Sequence, residues 1–171
     1  MPAVPKLRRR RAQPPAPKPR PRSYYLVAGV PLDEEMDCLR ALPVFADGPL
    51  AEGRPQLKVR RAGRRPNRLG FAVPSEFRLS VTAYPGIRPG DVLETLLHEL
   101  VHLHVGRAQE AHGWHGPTFK RVLGQAMREA YGVAIPTPRA TLHGPYAEAI
   151  QAQFGETAKF LPQEGILRSR G

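Results

Sequence analysis

The sequence predicts a domain whose strands and helices are segregated along the chain, on three observations. Residues 55–84 hold short alternating runs, clearest in "EFRLSVTAY". Residues 91–105 and 117–131 hold two helical patterns, each with an apolar face. Residues 1–22 hold neither, and are rich in proline and arginine.

Length and composition set the limits. A chain of 171 residues, 41% of them apolar, suits one domain with a real core plus tails. No apolar run is long enough to cross a bilayer, so no membrane partner is expected. A single cysteine, Cys38, excludes an internal disulfide framework and a cysteine-built zinc site, and fits a reducing, cytoplasmic setting. The net charge of +11 is unevenly placed. Eight of the 26 basic residues lie in residues 1–22, with no acid, and the remainder of the chain carries 18 basic against 15 acidic residues. The tail cannot offset its ordering entropy by burying apolar groups, so it is expected to be disordered. Arg8, Arg9, Arg10 and Arg11 in it could hold a polyanion such as DNA by counterion release. No secretory signal is expected, because "YYLVAGV" is short and runs into "DEEMD".

From the tail onward, "YYLVAGV" reads as a short strand or a helix start, and "PLDEEMDCLRAL" as a short helix with acids in its first turn. Gly and Pro around residues 43–55 mark a loop. "PQLKVRRAGRRPNRLGFAV" reads as two strands joined by a turn, a basic hairpin. In "EFRLSVTAY", Phe77, Leu79 and Val81 share one face. "DVLETLLHELVHLHV" reads as a helix capped by Asp91, with Glu94 completing a capping-box pattern and Leu93, Leu96, Leu97 and Leu100 as its core stripe. "GPTFKRVLGQAMREAYG" is a second helix, with Pro117 in its first turn and Gly132 at its stop. A third helix is expected around "PYAEAIQAQF", and the final residues read as frayed.

The first long helix carries chemistry. His98 and His102 are four residues apart, so they project side by side and can grip one metal ion. With Glu99 between them they form H-E-x-x-H, the pattern in which two histidines hold zinc and the glutamate is a general base toward water. Both histidines fall on the side of the helix away from Leu93 and Leu100, and are expected to face outward together. His104 falls among the leucines and is expected to be a packed histidine with one hydrogen bond.

A catalytic zinc needs a third protein ligand and one open position. His112, His115 and His143 are candidates, as are Glu110 and Glu129; Ala108 stands where a ligand following the motif on the same segment would be. His115 is favoured over His112 because Gly116 and Pro117 fix the backbone beside it and Phe119 can anchor its helix on the core.

"LLHELVHLHVG" together with "HGWHGPTFKRV" resembles the SprT-like zinc metalloproteases, whose eukaryotic relatives include Spartan. The family pattern, H-E-x-x-H followed by H-G-x-x-F or H-G-x-x-W, is matched by His98, Glu99 and His102 and then by His115, Gly116 and Phe119. The likeness covers about residues 55–132. It implies an α+β, zincin-like minimal domain, with a small, mostly antiparallel sheet packed on the H-E-x-x-H helix and the helix that follows. It implies one zinc ion held by His98, His102 and His115, with Glu99 as catalytic base, and DNA-attached proteins as the substrate class. The domain is expected over residues 23–135, between the tail of residues 1–22 and an extension, 136–171. Many relatives carry a cysteine-built zinc ribbon; no cysteine follows Cys38, so no ribbon is expected here.

The activity expected is peptide hydrolysis by a zinc-activated water, on protein substrates, by a monomer. DNA contact would fall to the tail and to the cluster Arg54, Lys58, Arg60, Arg61, Arg64, Arg65 and Arg68. Strand "FRLSVT" could hold an extended substrate by strand addition, and Tyr131, His143 and Tyr146 are the candidates for stabilising an oxyanion. The alternatives are a nucleic-acid-binding protein in which zinc only staples two helices, and a metallopeptidase with no nucleic-acid partner.

Overall fold

The computed structural model describes residues 24–106, 114–135, 144–154 and 166–169. The basic tail, with Arg8, Arg9, Arg10 and Arg11, lies outside them, as do Ala108, Glu110, His112 and His143. The described chain runs through β1 (Tyr24–Val27), β2 (Val30–Pro31), α1 (Leu32–Arg40), a 3-10 turn (Pro43–Phe45) and α2 (Pro49–Glu52). It continues through β3 (Gln56–Arg61), β4 (Gly70–Val73) and β5 (Arg78–Ala83), and then α3 (Pro89–Val105), α4 (Pro117–Tyr131), α5 (Pro145–Phe154) and β6 (Ile166–Ser169). The architecture is α+β, as the resemblance implies.

Helix α3 is the centre. All of its 17 residues except His104 are buried, so it behaves as an interior helix with no solvent face. Helices α4 and α5 pack on it from one side, β4 and β5 from another, and α1 and α2 complete the surround. This corrects the expectation that His98 and His102 face outward. Their side of α3 is polar by sequence, but β4 and the start of α4 cover it.

The helix begins earlier than its capping pattern suggests. Arg88 is the residue before the first turn, and Asp91 is the third helical residue, whose carboxylate accepts the Arg88 backbone N–H at 3.1 Å. Asp91 thus satisfies the helix start from inside the first turn. Its other contacts are with the Arg88 guanidinium, which also reaches Glu148 on α5. Glu94 is buried and takes no part in a cap. At the same end, α5 crosses α3 so closely that a Cβ on Gly90 would lie 2.5 Å from the Ala147 carbonyl oxygen. The Gly90 N–H donates to Gln151 Oε1 at 2.8 Å.

One sheet has the order β3-β5-β4, the other β2-β1-β6. The basic segment does not close into a hairpin: β5 lies between β3 and β4, parallel to the first and antiparallel to the second. Burial explains the order. Strand β5 is buried on both faces from Leu79 to Ala83, so it belongs in the middle, where both edges are paired. Strand β3 alternates, with Gln56, Lys58 and Arg60 exposed, and its charged side chains suit an edge. Leu57, Val59, Leu79 and Val81 meet in register on the face toward α3. In the second sheet Val27 pairs with Val30 around Ala28 and Gly29, both at positive φ, the signature of a two-residue hairpin turn. The final residues are not all frayed: β6 pairs antiparallel with the other edge of β1.

Candidate metal centre

His98 and His102 stand one turn apart on α3, and His115 lies in the turn that enters α4. Their Nε2 atoms converge. His115 Nε2 is 3.2 Å from that of His98 and 3.0 Å from that of His102. Among the described residues these three form the group able to hold a metal ion. Phe119, fully buried two residues into α4, is the common floor, with its ring centroid 5.0 Å from His98, 4.3 Å from His102 and 4.9 Å from His115. The site deepens from one ligand to the next: His115 is exposed, His102 is 8% exposed and His98 is 2% exposed.

The donor set fits a metal. Nitrogens bound tetrahedrally to one ion at 2.0–2.1 Å would stand about 3.3 Å apart, close to the spacings found. Three imidazoles with no thiolate or carboxylate among them suit a borderline-soft dication such as zinc. The face of His98 away from this point looks toward Glu94, whose Oε1 lies 3.9 Å from His98 Nδ1.

The convergence point opens into a cleft of about 200 Å³ lined by Arg68, Gly70, Phe71, Ala72, His98, Glu99, His102, Trp114 and His115. Glu99 is buried against β4. A Cβ on Gly70 would lie 3.2 Å from Glu99 Cγ, 2.7 Å from Thr95 Cγ2 and 2.6 Å from the Ser80 carbonyl oxygen, so only glycine lets the strand pass this turn of α3. Burial first, and then neighbouring Glu94, push the Glu99 carboxyl up to about 8, with the Arg68 guanidinium acting in the opposite sense. A dication among the imidazoles would favour the carboxylate by the same Coulomb logic.

Other candidates fall elsewhere. Glu129 accepts from the Val44 N–H at 3.0 Å and from Gln125 at 2.9 Å, away from the histidines. His104 packs on Phe45, and its Nδ1 fills the space where a Cβ on Gly48 would sit. It is a packed residue, as expected, but its buried Nδ1 has no hydrogen-bond partner among the described residues. Burial first and Arg121 second hold its imidazole below the usual histidine range. Tyr131 donates its hydroxyl to Glu35 at 2.8 Å, and burial, then that carboxylate, push the phenol well above its usual range. Tyr146 is buried on α5 beside Gly124. Neither tyrosine lines the cleft.

Strand β5 cannot receive a substrate strand, because β3 and β4 occupy both its edges. The strand beside the cleft is β4, with only one edge paired among the described residues. The basic cluster also divides. Arg54 is tied to Asp33 and Asp37, Arg60 stacks 4.5 Å over the Phe71 ring, and Arg61, Arg64 and Arg65 are exposed. Arg68 lines the cleft. Sequence reasoning missed Arg68, Trp114 and the Gly70–Ala72 wall as parts of the site. The signals were a lone glycine in a strand pattern, which marks a close backbone approach, and the chain's one tryptophan, adjacent to His115.

No helix among the described residues is long and apolar enough to cross a membrane. No curated protein and no solved structure matches the chain. The SprT-like family does, over residues 44–139, a span that contains α3, the turn with His115 and α4. With more than half its length inside that match, the chain belongs to the SprT-like family.

Proposed function

We propose that this chain is a zinc-dependent metallopeptidase, with His98, His102 and His115 as the ligands and Glu99 as the general base. One observation carries the reading. Glu99 and the three convergent histidines line a single solvent-open cleft. A zinc ion that only stapled α3 to α4 would need neither the open side nor the carboxylate.

When bound, zinc would supply a Lewis acid and draw the pKa of a water toward neutrality. The chain's own groups do the rest. Phe119 holds the three imidazoles in register, and the buried wall of β4 fixes Glu99. Glu99 accepts a proton as the water oxygen attacks the scissile carbonyl carbon, and delivers it to the amide nitrogen as the C–N bond breaks. An extended polypeptide can pair along β4, whose main-chain groups ask little of sequence.

The SprT-like resemblance points to DNA-associated proteins as substrates. Exposed Arg60 and Arg61 at the end of β3, with Arg64 and Arg65 in the loop that follows, supply a basic surface, and Arg8, Arg9, Arg10 and Arg11 add sequence-independent phosphate contacts. Binding through them weakens steeply with salt. A metallopeptidase with no nucleic-acid partner would lack both the affinity and that salt dependence.

The test compares the zinc-loaded chain with a Glu99→Gln variant on an unfolded protein substrate. Zinc content stays the same while cleavage falls by about a hundredfold or more. Equal cleavage by both removes Glu99 from its role, and zinc binding with no cleavage by either favours the staple.

A further inference from the structure

We propose that Arg68 builds an acid-selective subsite, in which its guanidinium receives a substrate carboxylate beside the metal centre. The inference rests on the reading that this cleft holds a polypeptide, and it names what the cleft selects.

Placement comes first. The pairing of β4 with β5 extends back to Leu69, whose carbonyl accepts the Thr82 N–H at 2.8 Å. The chain bends at Leu69, so Arg68 is placed by the cleft it lines rather than by strand alternation, whereas Gly70 and Ala72 share one side of β4. That side meets α3, since the missing Gly70 side chain would run into Thr95 and Glu99. All three residues line the cleft with Glu99 and the histidines.

Charge comes second. The fold neutralises several of its arginines: Arg40 and Arg54 on Asp37, Arg78 on Glu76, Arg88 on Asp91 and Glu148. Arg68 has no carboxylate within ion-pair distance among the described residues, yet its charge acts on Glu99, the acid in the same cleft. Phe71 and Trp114 stand on the walls around it, and such apolar surface strengthens a charged contact by thinning the water. A bidentate guanidinium–carboxylate pair fits this opening. With a dication on the imidazoles, Glu99 is the one negative group lining the cleft among the described residues, and anionic substrate segments are favoured over basic ones.

Trp114, the chain's only tryptophan, lies on the wall edge-on to His102, so its fluorescence reports occupancy without any need for turnover. The probes are blocked octapeptides, otherwise neutral, in which one Glu is walked along the sequence, each with a Gln twin. They are titrated into the metal-free full chain, where no cleavage competes, and the titrations are then repeated with zinc. At one position or more the Glu peptide binds roughly three- to tenfold tighter than its twin. Arg68→Gln abolishes that preference, Arg68→Lys keeps part of it, and salt weakens it. Equal binding of every pair, no binding of any peptide, or a preference that survives Arg68→Gln overturns the subsite. Acid-selective binding with no cleavage after zinc loading overturns the hydrolase reading and leaves the subsite standing. Cleavage without acid preference does the reverse.

Discussion

Replacing Gly70 with alanine tests how tightly the site depends on the passage of β4 over α3. The new Cβ would sit 2.6 Å from the Ser80 carbonyl oxygen and 2.7 Å from Thr95 Cγ2. Neither neighbour yields easily. Ser80 is backbone of the central strand, and Thr95 is a β-branched residue of the buried helix whose hydroxyl donates to the Asp91 carbonyl at 2.7 Å. Overpacking of this kind costs about 1–3 kcal/mol. Alanine recovers about 0.4–1 kcal/mol by restricting the unfolded chain. The net loss is therefore about 1–2 kcal/mol, or a fall in Tm of about 5 °C. Urea unfolding measures it, with Gly63→Ala as control, since nothing lies within 4 Å of a Cβ there. Adding Thr95→Ser to Gly70→Ala removes one of the two clashes and recovers part of the loss, a coupling that a double-mutant cycle reads directly. Because the same strand abuts Glu99, cleavage falls more than stability alone accounts for. A Gly70→Ala protein as stable as wild type refutes the close approach.

Two further outcomes follow from the packing and the ion pairs. Phe119→Ala removes the fully buried floor of the site; it destabilises the chain by about 3–5 kcal/mol and weakens zinc binding, as chemical denaturation and a competitive chelator titration will show. Arg88, by its hydrogen bond and then its charge, holds the Glu148 carboxyl below its ordinary 4.5. An acid whose folded pKa is depressed adds stability above its unfolded pKa and loses it as pH falls through the folded value. Melting curves of wild type should therefore fall more steeply than those of Glu148→Gln below about pH 4.5, and parallel curves would show that the Arg88–Glu148 contact does not tie α5 to α3.

Much of the site is legible in the residues because its logic is local. His98 and His102 share a helix face by period alone, and Gly116 and Pro117 mark where the next helix starts. What requires tertiary structure is whatever depends on neighbours across the chain. The polar side of α3 looks like a surface until β4 and α4 bury it. The basic segment looks like a hairpin until β5, apolar enough to need both edges paired, separates its strands. Arg68 is one cation among seven in the sequence cluster, and only the path of the chain into β4 brings it to the cleft. Asp91 carries the residue type of a cap but works from inside the first turn, because the cap is Arg88, three residues sooner, with Pro89 opening the helix.

Zinc K-edge absorption on the stoichiometrically loaded chain tests the central claim most directly. Three imidazole nitrogens and one lighter-shell oxygen at about 2.0–2.1 Å are expected, with one imidazole lost in His115→Ala. A shell containing sulfur from Cys38, or fewer than three imidazoles in the wild-type chain, would contradict a metal centre built from His98, His102 and His115.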